Sequence, residues 1–411
     1  MKRRMIALLL LLPLLLAGCT GADAGQATEL APTSEVLPES VVQPRADTGA
    51  NAGMTAFGVE LLRQVRQGGA NTLLSPFSAA IALSMTANGA DGDTLAAFEA
   101  VLGADTEALN ANAAQLMADY AALGGSTKAS VANSLWVDEA TTLYEDFLVH
   151  AAGYDAGLFS ADLDTDGARR AVNRWVSEHT DGMIPEILTQ NLESHIALLL
   201  VNAVYLENAF QSPFSANATG PWDFTAADGT VTSTDFMRQT ADLPYCSADG
   251  VTGAVLPYDD GRLAFVVLLP EAGLDSWLAE LDGEALTALI ASAQETRLFL
   301  SMPKFTAAWS GQLNEALSAM GLSVAFDQNQ ADLSRMGERN GNFFYLDFVI
   351  QSARLEVNEE GTRAAAATIV APGDSAAPLP PAELILDRPF LYAIWDLEAQ
   401  IPLFLGTYET P

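Results

Sequence analysis

The spacing of apolar residues divides the chain into a helical first half and a strand-rich second half. Phe57, Leu61, Leu62 and Val65 recur at helical intervals and predict an amphipathic helix that starts near Met54. Ser75-Pro76 reads as a helix N-cap followed by proline in the first turn, and it opens a helical run to Asn88. Helical patterns continue to about residue 190, with Val172, Trp175 and Val176 on one stripe of a predicted helix over 168–180. One strand, 129–137, interrupts them. Beyond Ile196 the alternation changes, and strands are predicted over 196–206, 263–269, 296–302 and 343–357, with two more near the C-terminus. A single helix, 312–320, falls among them. Helices first and strands later imply an α+β fold. No repeat or break in composition divides 54–411, so one domain is expected.

The first residues carry a different signal. Lys2, Arg3 and Arg4 precede a short apolar stretch from Ile6 to Leu16, and Leu16-Ala17-Gly18-Cys19 follows. Residues 1–18 therefore read as a secretory signal, too short to span a bilayer stably. The run ending at Cys19 resembles the bacterial lipobox, in which the cysteine is lipidated. The expected product is exported, and either lipid-anchored at the cell surface or extracellular. Residues 19–53 are poor in apolar periodicity and read as the lipidated Cys19 plus a flexible tether, with ends roughly 30 Å apart. The second cysteine, Cys246, then has no partner, so no disulfide is expected. It reads as a small buried hydrophobe.

Charge narrows the partners. The 411 residues hold 52 acidic against 19 basic side chains, a formal net charge of −33, which repels nucleic acid and anionic lipid. Membrane contact is expected only through the lipid anchor. The chain has 3 histidines, His150, His179 and His195, and none sits in a metal-binding spacing. There is no G-x-S-x-G elbow, no Walker loop and no dinucleotide glycine fingerprint. Catalysis finds no support, and neither a cofactor nor a metal is expected.

The informative stretch is Leu355 to Val370. Leu355-Glu356-Val357-Asn358 alternates as a strand would, Glu359-Glu360-Gly361 makes a turn, and Thr362-Arg363-Ala364-Ala365-Ala366-Ala367-Thr368 follows. In a strand, side chains alternate faces with period two. One face would then present Thr362, Ala364, Ala366 and Thr368, all small, while Arg363, Ala365 and Ala367 take the other. Such a segment can enter a sheet with its small face buried and Arg363 in water. The Pro- and Gly-containing stretch 371–378 cannot persist as a helix or central strand. Together these features describe a loop poised to become a central strand.

At this point the chain resembles the serpin family. Glu359 through Thr368 looks like the hinge of inhibitory serpins. Asn71-Thr72-Leu73-Leu74-Ser75-Pro76-Phe77-Ser78 is similar to the family's shutter helix. Asn173-Arg174-Trp175-Val176 resembles the helix across its large sheet, and Leu200-Val201-Asn202-Ala203-Val204-Tyr205 a strand of that sheet. Leu386-Asp387-Arg388-Pro389-Phe390 matches its C-terminal signature. The resemblance covers 54–411 and implies a serpin fold of about nine helices and three β-sheets. An exposed reactive-centre loop would occupy about 359–382.

It also implies function: irreversible, suicide-substrate inhibition of a serine protease, with the acyl-enzyme trapped by loop insertion. The alternative is a non-inhibitory serpin acting as a surface binding module. The implied hinge is Glu359, Glu360, Gly361, Thr362, Ala364, Ala365, Ala366, Ala367 and Thr368, and the implied shutter is Ser75, Ser78, Asn202 and Gln351. Counting from Gly361 places the reactive bond at Ser375-Ala376, with Ala376-Ala377 as the alternative. Small residues there suit elastase-like or subtilisin-like proteases. The expected partner is one such protease, bound by a monomer. Three positions depart from the family pattern: Gln351 replaces a shutter histidine, Phe210 a tryptophan and Arg363 a glutamate. Gln351 is expected to bridge Ser78 and Asn202 through its amide.

Overall fold

A computed structural model describes residues 27–33, 44–362 and 381–411. The expected elements at 1–18 and Cys19, and most of the expected loop, lie outside the described residues. Among the described residues there are nine α-helices and three sheets, of seven, nine and two strands.

The seven-stranded sheet positions the site. Its strands are β1 (Thr28–Glu29), β2 (Lys128–Asp138), β3 (Gly157–Ala161), β4 (Leu198–Ala209), β5 (Phe305–Gln312), β6 (Phe348–Asn358) and β7 (Gly361–Thr362). Across the sheet they lie in the order β1, β3, β2, β4, β7, β6, β5. β4 and β6 run parallel, and their direct ladder extends from Leu199–Phe348 to Val204–Ala353. Above it β7 lies between them, antiparallel to both.

Helices cover both faces of this sheet. α1 (Thr48–Val65) is capped by Asp47, whose carboxylate accepts the Ala50 N–H at 3.0 Å. α2 (Pro76–Ala87) is apolar all round, and every one of its residues is buried between the large sheets, as a helix without a polar face must be. α3 (Asp166–His179) has a polar outer side. It lays Ala168, Ala171, Val172 and Val176 over Trp136, Leu199, Val201 and Ile350 on the outer face of the sheet.

The nine-stranded sheet closes the core from the other side. Its central strands Leu263–Pro270, Phe390–Asp396 and Ile401–Tyr408 are buried along their whole length, which is why they read as continuous apolar runs. The C-terminus is fixed by a buried ion pair. Glu409, fully buried, accepts from Arg66 at the end of α1 through both oxygens, at 2.6 and 2.7 Å, and from the Gly69 N–H at 2.7 Å.

Five sequence expectations differ from the structure. The helical half ends at His179, short of residue 190, and contains the strands Thr141–Leu143 and Gly157–Ala161 besides the expected one. The first helix begins at Thr48, earlier than Met54. Within the expected tether 19–53, Thr28–Glu29 pairs with Phe159 and Ser160, and the Leu30 N–H donates to Leu158 at 2.8 Å. The open edge of β3 supplies unpaired backbone groups that a two-residue strand can satisfy, and no periodicity reveals so short a pairing. The helix expected over 312–320 is regular only at Asn314–Leu317; it widens to a π turn at Ser318–Leu322, where Gly321 takes φ +115°. The strand expected over 343–357 starts at Phe348. The polar strand Val231–Ala248 was not expected, because most of its residues are at least partly exposed and its alternation is broken.

The Arg66–Glu409 pair yields a prediction. Arg66→Ala leaves a carboxylate buried without its counter-charge, so the denaturation midpoint should fall by an equivalent of about 3 kcal/mol or more. Chemical denaturation followed by fluorescence checks it.

Candidate functional site

The site is the seam between β4 and β6, and side chains hold it at three levels. At mid-height a polar row crosses three strands. Asn133 on β2 is the ladder partner of Asn202 on β4, which in turn faces Gln351 on β6. All three point at the N-terminus of α2 and are buried, as are Ser75 and Ser78. Ser75 caps α2, accepting the Ser78 N–H at 3.3 Å, while its hydroxyl donates to the Leu403 carbonyl at 2.6 Å.

Gln351 uses every hydrogen-bonding atom of its amide. Its Oε1 accepts the Ser75 N–H at 3.0 Å. Its Nε2 donates to the Ser75 carbonyl at 2.9 Å and to Asn202 Oδ1 at 2.5 Å. Asn202 Nδ2 donates onward to Ser78 Oγ and Asn133 Oδ1. A buried polar network is stabilising only when its groups are satisfied, and the amides of Gln351 and Asn202 are bonded at both ends. The four expected residues Ser75, Ser78, Asn202 and Gln351 are therefore brought together. Gln351 reaches Ser75 and Asn202 directly, but reaches Ser78 only through Asn202. Asn133 was missed, although a buried asparagine inside an apolar strand is itself a signal.

At the top of the seam sits the start of the hinge. Gly361 pairs with Ala209 and Asn358, and Thr362 with Asn208 and Val357. Gly361 has φ +148°, and a Cβ there would lie 2.2 Å from the Asn208 carbonyl oxygen. Only glycine lets the chain enter between the strands at this point. Thr362 is fully buried, its Oγ1 2.6 Å from the Tyr258 hydroxyl. Tyr258 stacks flat on Phe210 at 5.4 Å, and burial pushes its phenol well above the usual range. Phe210 thus fills the position where the family pattern places a tryptophan.

The turn before the hinge is tied to its surroundings. Phe210 N–H donates to the Glu360 carbonyl at 2.8 Å, and Phe214 N–H to that of Glu359 at 2.7 Å. Glu360 N–H donates to Asn358 Oδ1 at 3.0 Å. Glu359 pairs with Lys304 at 2.8 Å. Partial burial opposes its charge, but hydrogen bonds led by Lys304 outweigh it, and the carboxyl is held below its usual range. Tyr258 and Lys304 are far in sequence from the hinge, and nothing in the local pattern marks them.

At the foot, Asp347 Oδ2 accepts the backbone N–H groups of Ala197 at 2.7 Å and Leu198 at 2.9 Å. The remaining expected site residues, Ala364, Ala365, Ala366, Ala367, Thr368, Ser375, Ala376 and Ala377, lie outside the described residues, as does Cys19.

Comparison with known proteins gives a consistent result. The family model described as "Serpin (serine protease inhibitor)" matches residues 52–411. The chain is similar to Iris of Ixodes ricinus, with 32% identity over 371 residues, 85% of this chain and 96% of the relative. It is 31% identical over 377 residues to the leukocyte elastase inhibitor of Xenopus tropicalis, covering 88% of this chain and 99% of that one. Among solved structures it resembles a thermophilic serpin, tengpin, in the native state. That likeness has a TM-score of 0.87 at 30% identity, and covers 94% of this chain and all of the other.

The geometry at Gly361 predicts that Gly361→Ala expels the hinge from the seam. The Thr362 amide should then lose its protection from hydrogen exchange by about tenfold or more, while the amides of Leu199–Val204 keep theirs. Exchange measured by mass spectrometry on proteolytic fragments checks this.

Proposed function

The chain belongs to the serpin family, and from that membership we propose that it is a single-use inhibitor of a serine protease of elastase-like or subtilisin-like specificity. The observation that carries this reading is the seating of Gly361 and Thr362 between β4 and β6. Thr362 is already buried on the inner face, so the strand that continues from it has its register and its facing set.

In the proposed mechanism the protease serine attacks the carbonyl carbon of Ser375 and the amine of Ala376 leaves. The protease is then joined to Ser375 as an ester. The cut loop is free to follow Thr362 down the seam, parting β4 from β6 and gaining a ladder of hydrogen bonds on each side. The attached protease is carried along and distorted before the ester hydrolyses.

Register counting supports the sequence of the hinge. Thr362 faces Asn208 and Val357, so an inserted strand would bring Thr368 opposite both Asn202 and Gln351. The hydrogen bond between those two amides is lost as the strands part. A threonine hydroxyl, both donor and acceptor, can replace it from between them. Ala364 and Ala366 would fill the inner face above, where larger side chains would meet the packed core. Export through 1–18, lipidation at Cys19 and action as a monomer at the cell surface belong to the same proposal. Export and lipidation rest on the Leu16-Ala17-Gly18-Cys19 run.

Two outcomes are expected. Mixing with an elastase-like or subtilisin-like protease should give a covalent complex that survives denaturing electrophoresis, with the C-terminal fragment starting at Ala376 by mass. Cleaved chain without complex, across a panel of such proteases, would favour the non-inhibitory binding module. Thr368→Val should lower the stability of the cleaved form by about 1–3 kcal/mol and leave the uncut form unchanged. Parallel melts of both forms check it.

A further inference from the structure

The shutter and hinge account for two of the three levels at which the seam is held. The third, at Asp347, has no counterpart in the sequence reading and a geometry of its own. Asp347 immediately precedes the first ladder pair, Phe348–Leu199, so it stands at the point where β4 and β6 first meet. One carboxylate oxygen accepts two successive N–H groups from the entry to β4. The Asp347 carbonyl accepts from Asn314 Nδ2 at 2.6 Å, and Asn314 Oδ1 accepts the Val349 N–H at 3.0 Å. The Leu313 N–H donates to the Val349 carbonyl at 2.8 Å. Asp347 is therefore held rigidly on the β6 side and reaches across to β4, a side-chain bridge over the foot of the seam.

Adjacent strands lie about 4.8 Å apart, and an inserted strand doubles that separation. An aspartate side chain cannot span the doubled gap, so both hydrogen bonds must break wherever the inserted strand reaches this level. The register places Pro372 there, ten positions beyond Thr362 as Leu198 is ten before Asn208. Proline cannot donate to a ladder, so it would part β4 from β6 as the last inserted residue without continuing the segment as a central strand. Both expected cleavage points lie beyond 372. Complete insertion therefore has to undo the bridge, whereas partial insertion does not.

We propose that Asp347 is a positioning residue for insertion, a clasp that must open in its last steps and that holds the uncut chain out of the fully inserted state. This rests on the insertion mechanism proposed above. The groups around it are Tyr345, which hydrogen-bonds the carboxylate, and His195, half or more exposed near Glu193. Arg339 lies near Tyr345; it pairs with Asp138 at 3.1 Å and donates to the His195 carbonyl at 3.3 Å. Burial pushes the Asp347 carboxyl above its ordinary range despite the two N–H donors. Because a single oxygen accepts both N–H groups, an acceptor oxygen held at this point is what the bridge requires.

The test uses the full chain with three variants. The uncut chain is warmed, and spontaneous insertion is followed as loss of susceptibility to elastase within 363–380, resolved by mass. Asp347→Ala should insert about tenfold faster or more, while Asp347→Asn, which keeps the acceptor oxygen, should stay within about threefold of the native rate. The melt of the loop-cleaved form should be the same for all, because the clasp is already open in it. An unchanged rate for Asp347→Ala, or equal destabilisation of cut and uncut forms, would overturn the proposal in favour of a simple cap on β4. If the alanine variant does not fold, Asp347→Ser, with one short hydroxyl acceptor, carries the same comparison and should insert faster than Asp347→Asn. Failure of the native chain to gain stability on cleavage would instead count against the insertion mechanism, whatever Asp347 does.

Discussion

Everything distinctive about this chain depends on one weak join in a strong sheet. β4 and β6 are parallel neighbours whose direct ladder covers only Leu199–Val204 and Phe348–Ala353. The flanking pairs are more extensive: β2 with β4 from Lys128 to Val137, and β5 with β6 from Phe305 to Gln312. The seam is thus a shorter join between two longer ones. Here the short ladder is reinforced by side chains, with Gln351 and Asn202 at mid-height and Asp347 at the foot. At the top, β7 already acts as a wedge.

The rest of the molecule works as the frame for that join. α2 is buried on every side and places Ser75 and Ser78 against the polar row, so the shutter is fixed to a helix that cannot shift without disturbing the core. α3 covers the outer face over Leu199 and Val201, and Tyr258, just past the nine-stranded sheet's strand Val251–Pro257, packs with Phe210 under Thr362. The ion pair of Arg66 with Glu409 ties the last strand back to α1. These fastenings lie off the line of the seam, so in the proposed insertion the frame keeps its contacts while the seam opens.

Much of this was legible in the sequence, and the exceptions have physical reasons. The helix-then-strand order, the buried helix after Ser75-Pro76 and the alternation around Thr362 follow from local periodicity, which a sequence displays directly. Ser75 was legible as a helix N-cap, while Ser78, Asn202 and Gln351 came with the resemblance to the serpin family. Asn133 and Asp347 were not legible, since their roles come from register between strands, and register depends on contacts between residues 69 and 150 positions apart. Tyr258 and Lys304 meet the hinge only through the fold. Thr28–Glu29 escaped notice because its pairing is made by the backbone of another strand's edge.

The central claim is that a cut loop becomes a strand in the seam. The most direct measurement is the thermal midpoint of the chain before and after a single cut within 363–380. A new central strand of about ten residues adds a ladder on both sides, and the account predicts a rise on the order of 20 °C. An unchanged or lower midpoint after cleavage would contradict it.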